Sequence, residues 1–594
     1  MPLFVEELTR SVIESGDLED AGAGYVLGRP IDDLTIPSTL QDSLIARLDR
    51  LGPAKDIALT ASVIGREFTY ELLEAVSALP QATLLEGLDR LVQSDLLGQN
   101  GVPPRSRYIF RHALIRDAAF QSILKARRRE LHRRVADVLS SRFSEIAETE
   151  PELLAYHYTK AGVIDRALSC WRKAGERAVA RLAYVEAVGH VQAAMKLVAG
   201  LPQGSEQDEW EFTFLAIEGP SRMALDGWDS PSAMALYEKA RTVAERLGRP
   251  AEVFRSVWGL WMGAHGSGRN ARAHELYDEI FELLKQTNEA EYIVQAHHAG
   301  GSQMVWEGQL HAALGHIDQL LSSYRVDTHG NLALLYGAHD PGCCSLSMLA
   351  LTLLMLGRLE EANAASARAL ELSEQVGHKP SVAQTLQFRA EFLIILDRVD
   401  EAEACVRTCH SLSTKFSLGN YLDYANLMQG WLRVLRGDAA GGLRQAETAL
   451  LSMRAVASRR FHYPIRIATV GRARAAAGDI DGALALFDDA LTEVSINGER
   501  WYEAELLRLK AEMLLAQETP RPADAEHCLQ AAIASARKQE TNFWQLRAAV
   551  VLAEQWVKHG RHSEARDLLA PIYAGFSQGL DCPDLKRAAA LLAT

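Results

Sequence analysis

The 594-residue sequence lacks long hydrophobic runs and any amino-terminal segment typical of a secretory signal. Its longest apolar stretch, Leu346 to Leu356, has 11 residues and includes Ser and Thr. A membrane-spanning helix needs about 18 apolar residues or more. The first residues place no basic cluster ahead of an apolar segment. We therefore expect no membrane partner and no secretion.

Cysteine is scarce and irregularly placed. The chain has seven cysteines, an odd number, with no regular framework and no Cys-x-x-Cys motif. Cys343 and Cys344 are adjacent, and Cys405 and Cys409 are one helical turn apart. This usage is typical of reduced thiols and predicts a cytoplasmic location.

Basic residues are fewer than acidic ones. The chain has 63 Lys and Arg residues and 77 Asp and Glu residues, for a formal net charge of -14. This balance argues against general binding to nucleic acid or anionic membranes. A local basic segment does lie at 105–134, where ten basic residues outnumber Asp117 and Glu130. Its apolar residues at helical spacing favour an ordinary amphipathic helix over a DNA-binding surface, so we do not expect nucleic acid as a partner. These apolar residues are Leu124, Leu131, Val135 and Val138.

A phosphate-binding loop is also missing. No Gly-Lys dipeptide occurs, so the chain has no Gly-x-x-x-x-Gly-Lys-Ser/Thr motif. Gly22, Gly24 and Gly28 have the wrong spacing for a dinucleotide-binding motif and predict a loop. We expect no cofactor, and ATP only if a separate or upstream ATPase module supplies its site.

Catalytic and metal-binding patterns are equally absent from the sequence. His112, His132, His157 and the pair His297–His298 lie on predicted helices without a spacing such as His-Glu-x-x-His. We interpret them as structural or surface residues and predict no catalytic residue and no metal ligand. Cys409 and the tryptophans are expected to fill the core.

What the sequence does contain is a repeat. A small residue, a bulkier one at +4 and an apolar one at +7 recur, and successive first positions are 40 to 49 residues apart. Spacings of +4 and +7 place these anchors on one helical face, where small residues allow close helix packing. The predicted core anchors are Ala233, Tyr237, Ala273, Tyr277, Ala313, Ala362, Ala402, Ala483, Phe487, Ala525 and Ala565.

Glycines support this register. A glycine stands five residues before most first anchors, as in the segments 357–362 and 478–483. Glycine suits the left-handed residue that ends one helix before the next begins. Each helical hairpin would bury its apolar stripe only by stacking on the next, which predicts a solenoid. The pattern resembles the tetratricopeptide repeat, although the period of about 40 exceeds the usual 34; a generic α-solenoid remains the alternative.

The first 145 residues do not share the period. Leu40, Leu44, Leu48 and Leu51 predict one helix, two further helices follow, and Arg107–Phe110 reads as a short strand. The predicted fold class is therefore all-α: a tetratricopeptide-like α-solenoid superhelix preceded by a small winged-helix-like module. The predicted domains are a remnant of an ATPase module with a linker at 1–30, the winged-helix-like module at 31–145, a helical connector at 146–205 and the solenoid at 206–594.

Several segments carry a resemblance to a known family. In order they are 2–8, 36–44, 63–68, 110–120, 127–132 and 151–158. They resemble the region after the nucleotide-binding core in bacterial proteins that join a class III adenylate or guanylate cyclase, a signal-transducing (STAND) ATPase and tetratricopeptide repeats. In those proteins the first motif reads Gly-Asn-Pro-Leu-Phe and follows the phosphate loop, whereas here Met1 directly precedes Pro2. The resemblance implies that Pro2 is the remnant of a nucleotide-base contact.

These observations predict a non-catalytic scaffold for signal transduction that binds a protein partner or a small inducer through its solenoid. By resemblance, the partner includes a cyclase or ATPase module. The first alternative is that the chain is the C-terminal portion of a cyclase or STAND ATPase whose catalytic domains lie upstream. The second is a transcription regulator that uses the basic segment.

Overall fold

The computed structural model describes residues 18–20, 25–27, 40–287, 289–337, 339–455, 462–576 and 582–593. The chain divides into two compact units, which we call unit 1 (residues 1–175 and 190–201) and unit 2 (residues 176–189 and 202–594). Apart from five short strands, the regular structure of the described residues is helical. None of the described helices combines the length and the apolar character needed to cross a bilayer.

The helices up to residue 198 are short to medium in length and are numbered in chain order. They are α1 (Leu40–Arg50), α2 (Pro53–Ile64), α3 (Tyr70–Ser77), α4 (Gln81–Gln93), α5 (Ala113–Ser122), α6 (Lys125–Arg142), α7 (Ser144–Thr149), α8 (Pro151–Ala161), α9 (Ile164–Ala180) and α10 (Tyr184–Val198).

The strands form two small antiparallel sheets. They are β1 (Leu18–Asp20), β2 (Tyr25–Leu27), β3 (Glu67–Thr69), β4 (Leu97–Asn100) and β5 (Arg107–Phe110). β1 pairs with β2, and the second sheet has the order β3-β5-β4. In that sheet Phe68 lies opposite Tyr108 and Leu97 lies opposite Phe110. Phe68, Leu97, Tyr108 and Phe110 join the helices around the second sheet in one core.

Local signals explain the elements of unit 1. Pro53 stands in the first turn of α2, where its missing N–H is not needed. The Thr69 side chain caps α3 by accepting a hydrogen bond from the backbone N–H of Leu72. The core under the sheet is made of residues such as Ile57 and Leu88, both essentially inaccessible to solvent.

Unit 2 continues with a long series of helices. They are α11 (Ser205–Asp226), α12 (Pro231–Leu247), α13 (Pro250–Gly266), α14 (Asn270–Leu284), α15 (Ala290–Glu307), α16 (Leu310–Ser323), α17 (Val326–His329), α18 (Leu332–Tyr336), α19 (Pro341–Met355), α20 (Leu359–Val376), α21 (Lys379–Ile395), α22 (Val399–Lys415), α23 (Gly419–Leu435), α24 (Ala439–Arg454), α25 (Tyr463–Ala476), α26 (Ile480–Asn497), α27 (Glu503–Ala516), α28 (Pro522–Lys538), α29 (Asn542–Lys558), α30 (His562–Ala574) and α31 (Pro583–Leu592).

These helices pair into successive antiparallel hairpins, from α11–α12 to α29–α30. The first helix of a hairpin is buried almost all round, whereas the second buries one stripe. In α19, 14 residues of 15 are buried, but in α20 only six of 18 are. A helix that is buried on all faces belongs to an inner layer, and one with a single buried stripe belongs to an outer layer. The all-α solenoid prediction is confirmed.

The one irregular interval of the repeat has a structural cause. The anchors Ala313 and Ala362 are 49 residues apart, whereas the other intervals are 40 to 42. The short helices α17 and α18 lie in the connection between α16 and α19. They account for the additional residues without disturbing the hairpins on either side.

The inner helices also touch hairpins that are distant in sequence. The backbone N–H of Trp501 donates to the carbonyl of Trp306 at 3.3 Å, and the two indole rings lie 5.3 Å apart. The Asn542 side chain donates to the carbonyl of Leu356 at 3.0 Å. Around these contacts, side chains of unit 2 therefore fill the space that its helices enclose.

Candidate functional site

The predicted core anchors lie between the helices of each hairpin. Ten of the eleven are buried, and Tyr277 is half-buried with its hydroxyl 3.2 Å from Nε2 of His316. A Cβ built at Gly259 would lie 2.2 Å from the Tyr237 ring, so the larger anchors fill space left by glycines on facing helices. These residues hold the repeats together and offer no surface to a ligand. Pro2 lies outside the described residues.

Residues of the basic segment pack against and pair with other residues of unit 1. Leu131 and Val135 are buried as the pattern predicts, but Leu124 is 79% exposed because it precedes the first turn of α6. Arg127 pairs with Asp56 at 3.3 Å. His132, interpreted from the sequence as a structural or surface residue, is buried, with its Nδ1 2.9 Å from Nδ1 of His157.

A cavity of about 950 Å³ in unit 2 opens among several of the turns between helices. We call it the turn pocket. It is lined by residues 181–186, 223–228, 337, 380 and 415–421. Pockets of 300–1,000 Å³ are the usual size for a ligand or a short peptide segment.

Four left-handed turn residues line the turn pocket. Leu182 and Ser417 have φ angles of 60° and 56°, in the left-handed region that residues other than glycine rarely occupy. Gly227 and Gly337 also have positive φ angles, of 107° and 73°. Left-handed residues end helices elsewhere in the array too, as at Asp397, so they mark turns of the repeat.

The pocket combines an apolar wall with a charged rim. Trp228 and Phe416 are half-buried, and Tyr421 is almost fully buried. Burial raises the pKa of Tyr184 to about 12, so its hydroxyl stays neutral and able to donate a hydrogen bond. The charged rim residues carry both signs: Arg181, Glu186, Asp226 and Lys415. Such a site suits an apolar side chain flanked by polar or charged groups.

A layer of buried polar residues lies directly behind the pocket wall. The ring of Trp228 meets that of His339 edge to face, with centroids 6.3 Å apart. Nε2 of His339 lies 3.3 Å from Nε2 of His298. These two histidines and Cys344 place one ligand atom each within 4.8 Å of one another. The three residues could therefore hold a metal ion.

Asp340 fixes the start of α19 beside this layer. Its carboxylate accepts hydrogen bonds from the backbone N–H of Cys343 at 2.9 Å and from the Tyr324 hydroxyl at 2.8 Å. Its own backbone N–H donates to the Ser381 hydroxyl at 2.7 Å. These bonds tie α19 and α21 to the connection that carries α17 and α18, and so hold His339 in place.

A second buried polar group lies deeper in the array. Glu391 and Arg466 face each other near His462, and Glu499 accepts a hydrogen bond from Nε1 of Trp501 at 3.0 Å. Burial raises the pKa of Glu391 to about 7 and that of Glu499 to about 8. These carboxyls are enclosed by helices of the inner layer, where they affect stability rather than reach a substrate.

The sequence patterns missed the His298, His339 and Cys344 group. Its members come from α15, from the residue before Asp340 and from α19, so no short motif joins them. The repeat does not reveal the group either, because the repeat interval at this junction is 49 residues whereas His298 and His339 are 41 residues apart.

The comparisons with known proteins identify similar chains without naming a function. No family model matches this sequence. An uncharacterised protein of Rhizobium meliloti (strain 1021) is 25% identical over 531 residues, covering 86% of this chain and 49% of that protein. The chain therefore spans about half the length of this curated relative.

Solved structures with similarity to the chain include three with partial overlap. A Rap protein complexed with competence and sporulation factor matches with a TM-score of 0.45 and 13% identity, covering 63% of this chain and 98% of that one. A STAND protein with a tetratricopeptide repeat sensor from Pyrococcus horikoshii matches with a TM-score of 0.30 and 12% identity, covering 91% and 65%. A human IFIT1 dimer with m7Gppp-AAAA gives a TM-score of 0.37 and 14% identity, covering 80% and 96%.

Proposed function

We propose that the chain is a non-catalytic regulatory scaffold that binds a peptide segment of a protein partner, or a small inducer, in the turn pocket. The observation that carries this proposal is a cavity of about 950 Å³ formed by turns from several hairpins. Its aromatic wall and charged rim supply the mixed surface that peptide recognition uses.

The packing of the array favours the turn edge over the inner face as the binding surface. Solenoids commonly bind along their concave surface. Here Trp306 and Trp501 meet across that space, and the inner helices are buried on nearly all sides. The apolar groups of unit 2 that a partner could contact therefore lie at the turns.

The chemistry of the buried groups supports a non-catalytic role. Burial raises the pKa of the Cys344 and Cys409 thiols to about 12, so neither is a thiolate nucleophile at neutral pH. The His298 pKa is lowered to about 3 by burial, which removes it from general acid-base work near pH 7. These residues lack both the access and the ionisation that catalysis needs.

Peptide selection tests the proposal. A library of random dodecapeptides would be selected on the full chain, and the enriched peptides would be assayed by fluorescence polarisation. We expect Val185→Asp, which adds charge at the pocket mouth, to weaken their binding at least tenfold. The matched control is Ile496→Asp on α26, because Val185 and Ile496 are 73% and 75% exposed. Peptides that bind both variants equally would place the binding surface elsewhere.

We further propose a cyclase or ATPase module as the regulated partner. The sequence resemblance of residues 2–8, 110–120 and 151–158 supports this proposal. We also propose, from the same resemblance, that residues 31–145 form a winged-helix-like module and that residues 146–205 form a connector. The second sheet is antiparallel with the order β3-β5-β4, and α3 and α4 lie between β3 and β4 in the chain. This arrangement is consistent with a winged helix. Co-purification of this chain with such a module would test the partnership.

A further inference from the structure

We propose that His298, His339 and Cys344 form a zinc site in unit 2. All three side chains are buried, at 2%, 5% and 1% exposure. Their ligand atoms lie within 4.8 Å of one another. Imidazole nitrogens and cysteine thiolates are both protein ligands of Zn²⁺. The inference stands independently of the proposed function.

The distance between the two imidazoles matches a tetrahedral centre. At Zn–N bonds of about 2.0–2.1 Å, two nitrogens of a tetrahedron lie about 3.3 Å apart. Nε2 of His298 and Nε2 of His339 are separated by 3.3 Å. A cation between them would require only a small outward rotation of the rings, and Cys344 would supply a third corner.

Hydrogen bonds fix two of the proposed ligands, and one nearby oxygen is left unpaired. Nδ1 of His298 lies 3.3 Å from Oε1 of Gln295, which leaves its Nε2 with a lone pair toward His339. The amide Nε2 of Gln384 donates to the Cys344 sulfur at 3.4 Å. Among the described residues, Oε1 of Gln384 is buried without a hydrogen-bond partner. A buried oxygen of this kind is satisfied when an ion or a water molecule completes the site.

The chemistry of binding is a proton exchange. The Cys344 thiol gives up its proton to solvent as sulfur bonds to Zn²⁺, and both imidazoles bind as neutral ligands without losing a proton. The fourth corner is left for a water molecule or for the unpaired oxygen of Gln384.

The site would join two consecutive hairpins across the longest connection of the array. His298 lies on α15, His339 stands just before α19, and Cys344 is in the first turn of α19. The intervening residues include α17 and α18, which lengthen this connection. A metal bridge here would hold α19 in register with α15 and support the wall of the turn pocket through Trp228.

Cobalt substitution tests the proposal directly. The full chain, reduced and stripped of metal with a chelator, would be titrated with Co²⁺ and followed by absorption spectroscopy. We expect one equivalent to give the visible bands of a tetrahedral cobalt centre and a near-ultraviolet thiolate-to-cobalt band. Zn²⁺ should displace it and raise the Tm of the chain. A folded chain that binds no stoichiometric Co²⁺ and shows no Tm shift with Zn²⁺ would overturn the proposal without any variant.

Variants separate the site from adventitious binding. We expect Cys344→Ser to lose the thiolate band and to bind at least 100-fold more weakly. Cys409→Ser is the matched control, because Cys409 is an equally buried thiol on α22, and it should retain the full spectrum. Gln295→Leu, which removes the partner of His298, should weaken binding about tenfold. A thiolate band that survives in Cys344→Ser would refute the zinc assignment.

Discussion

Replacing Gly471 with alanine should destabilise unit 2, although alanine is the better helix former. Gly471 lies in α25, and a Cβ built there would be 2.6 Å from Cε1 and 3.0 Å from Cζ of Phe487. Phe487 is a predicted core anchor and is fully buried, so its ring cannot move into solvent. Overpacking of a core costs about 1–3 kcal/mol, and the helix propensity of alanine returns up to about 1 kcal/mol. We expect a net loss of roughly 1–2 kcal/mol.

Gly315 provides the control. It lies in α16, and a Cβ built there meets no atom within 4 Å. Gly315→Ala should therefore stabilise the chain by about 0.5–1 kcal/mol, since only the propensity acts. Guanidinium unfolding followed by tryptophan fluorescence would measure both variants.

A double variant isolates the contact. Phe487→Leu removes the ring atoms that would collide with the new methyl group, so part of the loss in Gly471→Ala should disappear in its presence. A coupling free energy of about 1 kcal/mol or more is expected for residues in direct contact. The reasoning would be wrong if Gly471→Ala were as stable as the wild type, or if the two substitutions were simply additive.

Three further predictions follow from buried or missing groups. Burial raises the pKa of Glu499 to about 8, so the folded chain keeps a proton that the unfolded chain releases, and the contribution of Glu499 to the free energy of unfolding should fall by about 1 kcal/mol per pH unit between about pH 5 and pH 8. The difference in unfolding free energy between the wild type and Glu499→Gln, from denaturant titrations at several pH values, isolates this contribution, and a difference that does not change with pH would contradict the assignment. Asp340→Ala should cost about 2–4 kcal/mol, because it removes a cap from Cys343 and leaves the Tyr324 hydroxyl unpaired. Asp438→Ala, at an exposed cap, should cost only about 1 kcal/mol in the same unfolding assay. Calorimetry of the chain with ATP and magnesium should show no binding because the sequence has no phosphate loop, and micromolar affinity would require a nucleotide site of another kind.

The repeat could be predicted from the sequence because its signal is local. Small and large residues at +4 and +7, such as Ala483 and Phe487, place one face of a helix in contact with its neighbour whatever the rest of the chain does. Leu124 shows the limit of this argument. It continues the apolar spacing of α6 but stands before the first turn, where the backbone is extended and the side chain is exposed.

The candidate site depends on contacts that no local pattern encodes. The turn pocket needs Tyr421 beside Trp228, almost 200 positions earlier in the chain. The histidine and cysteine group needs α19 and the residues before it to pack against α15. His298 and Cys344 sit in inner helices whose all-round burial hides any amphipathic pattern, and His339 lies before the start of α19. Without a count of residues per superhelical turn, the sequence could not indicate which hairpins meet.

The contacts between distant hairpins limit how this array can change during evolution. Simple solenoids lengthen or shorten by whole repeats, because each repeat touches only its neighbours. Here the carbonyl of Leu356 is bonded to Asn542, and Asn270 donates to the carbonyl of Asn497. Deleting or duplicating any hairpin between these partners would move them out of register together. The number of repeats in this stretch is therefore fixed by geometry, and new specificities would have to arise by substitution at the turns.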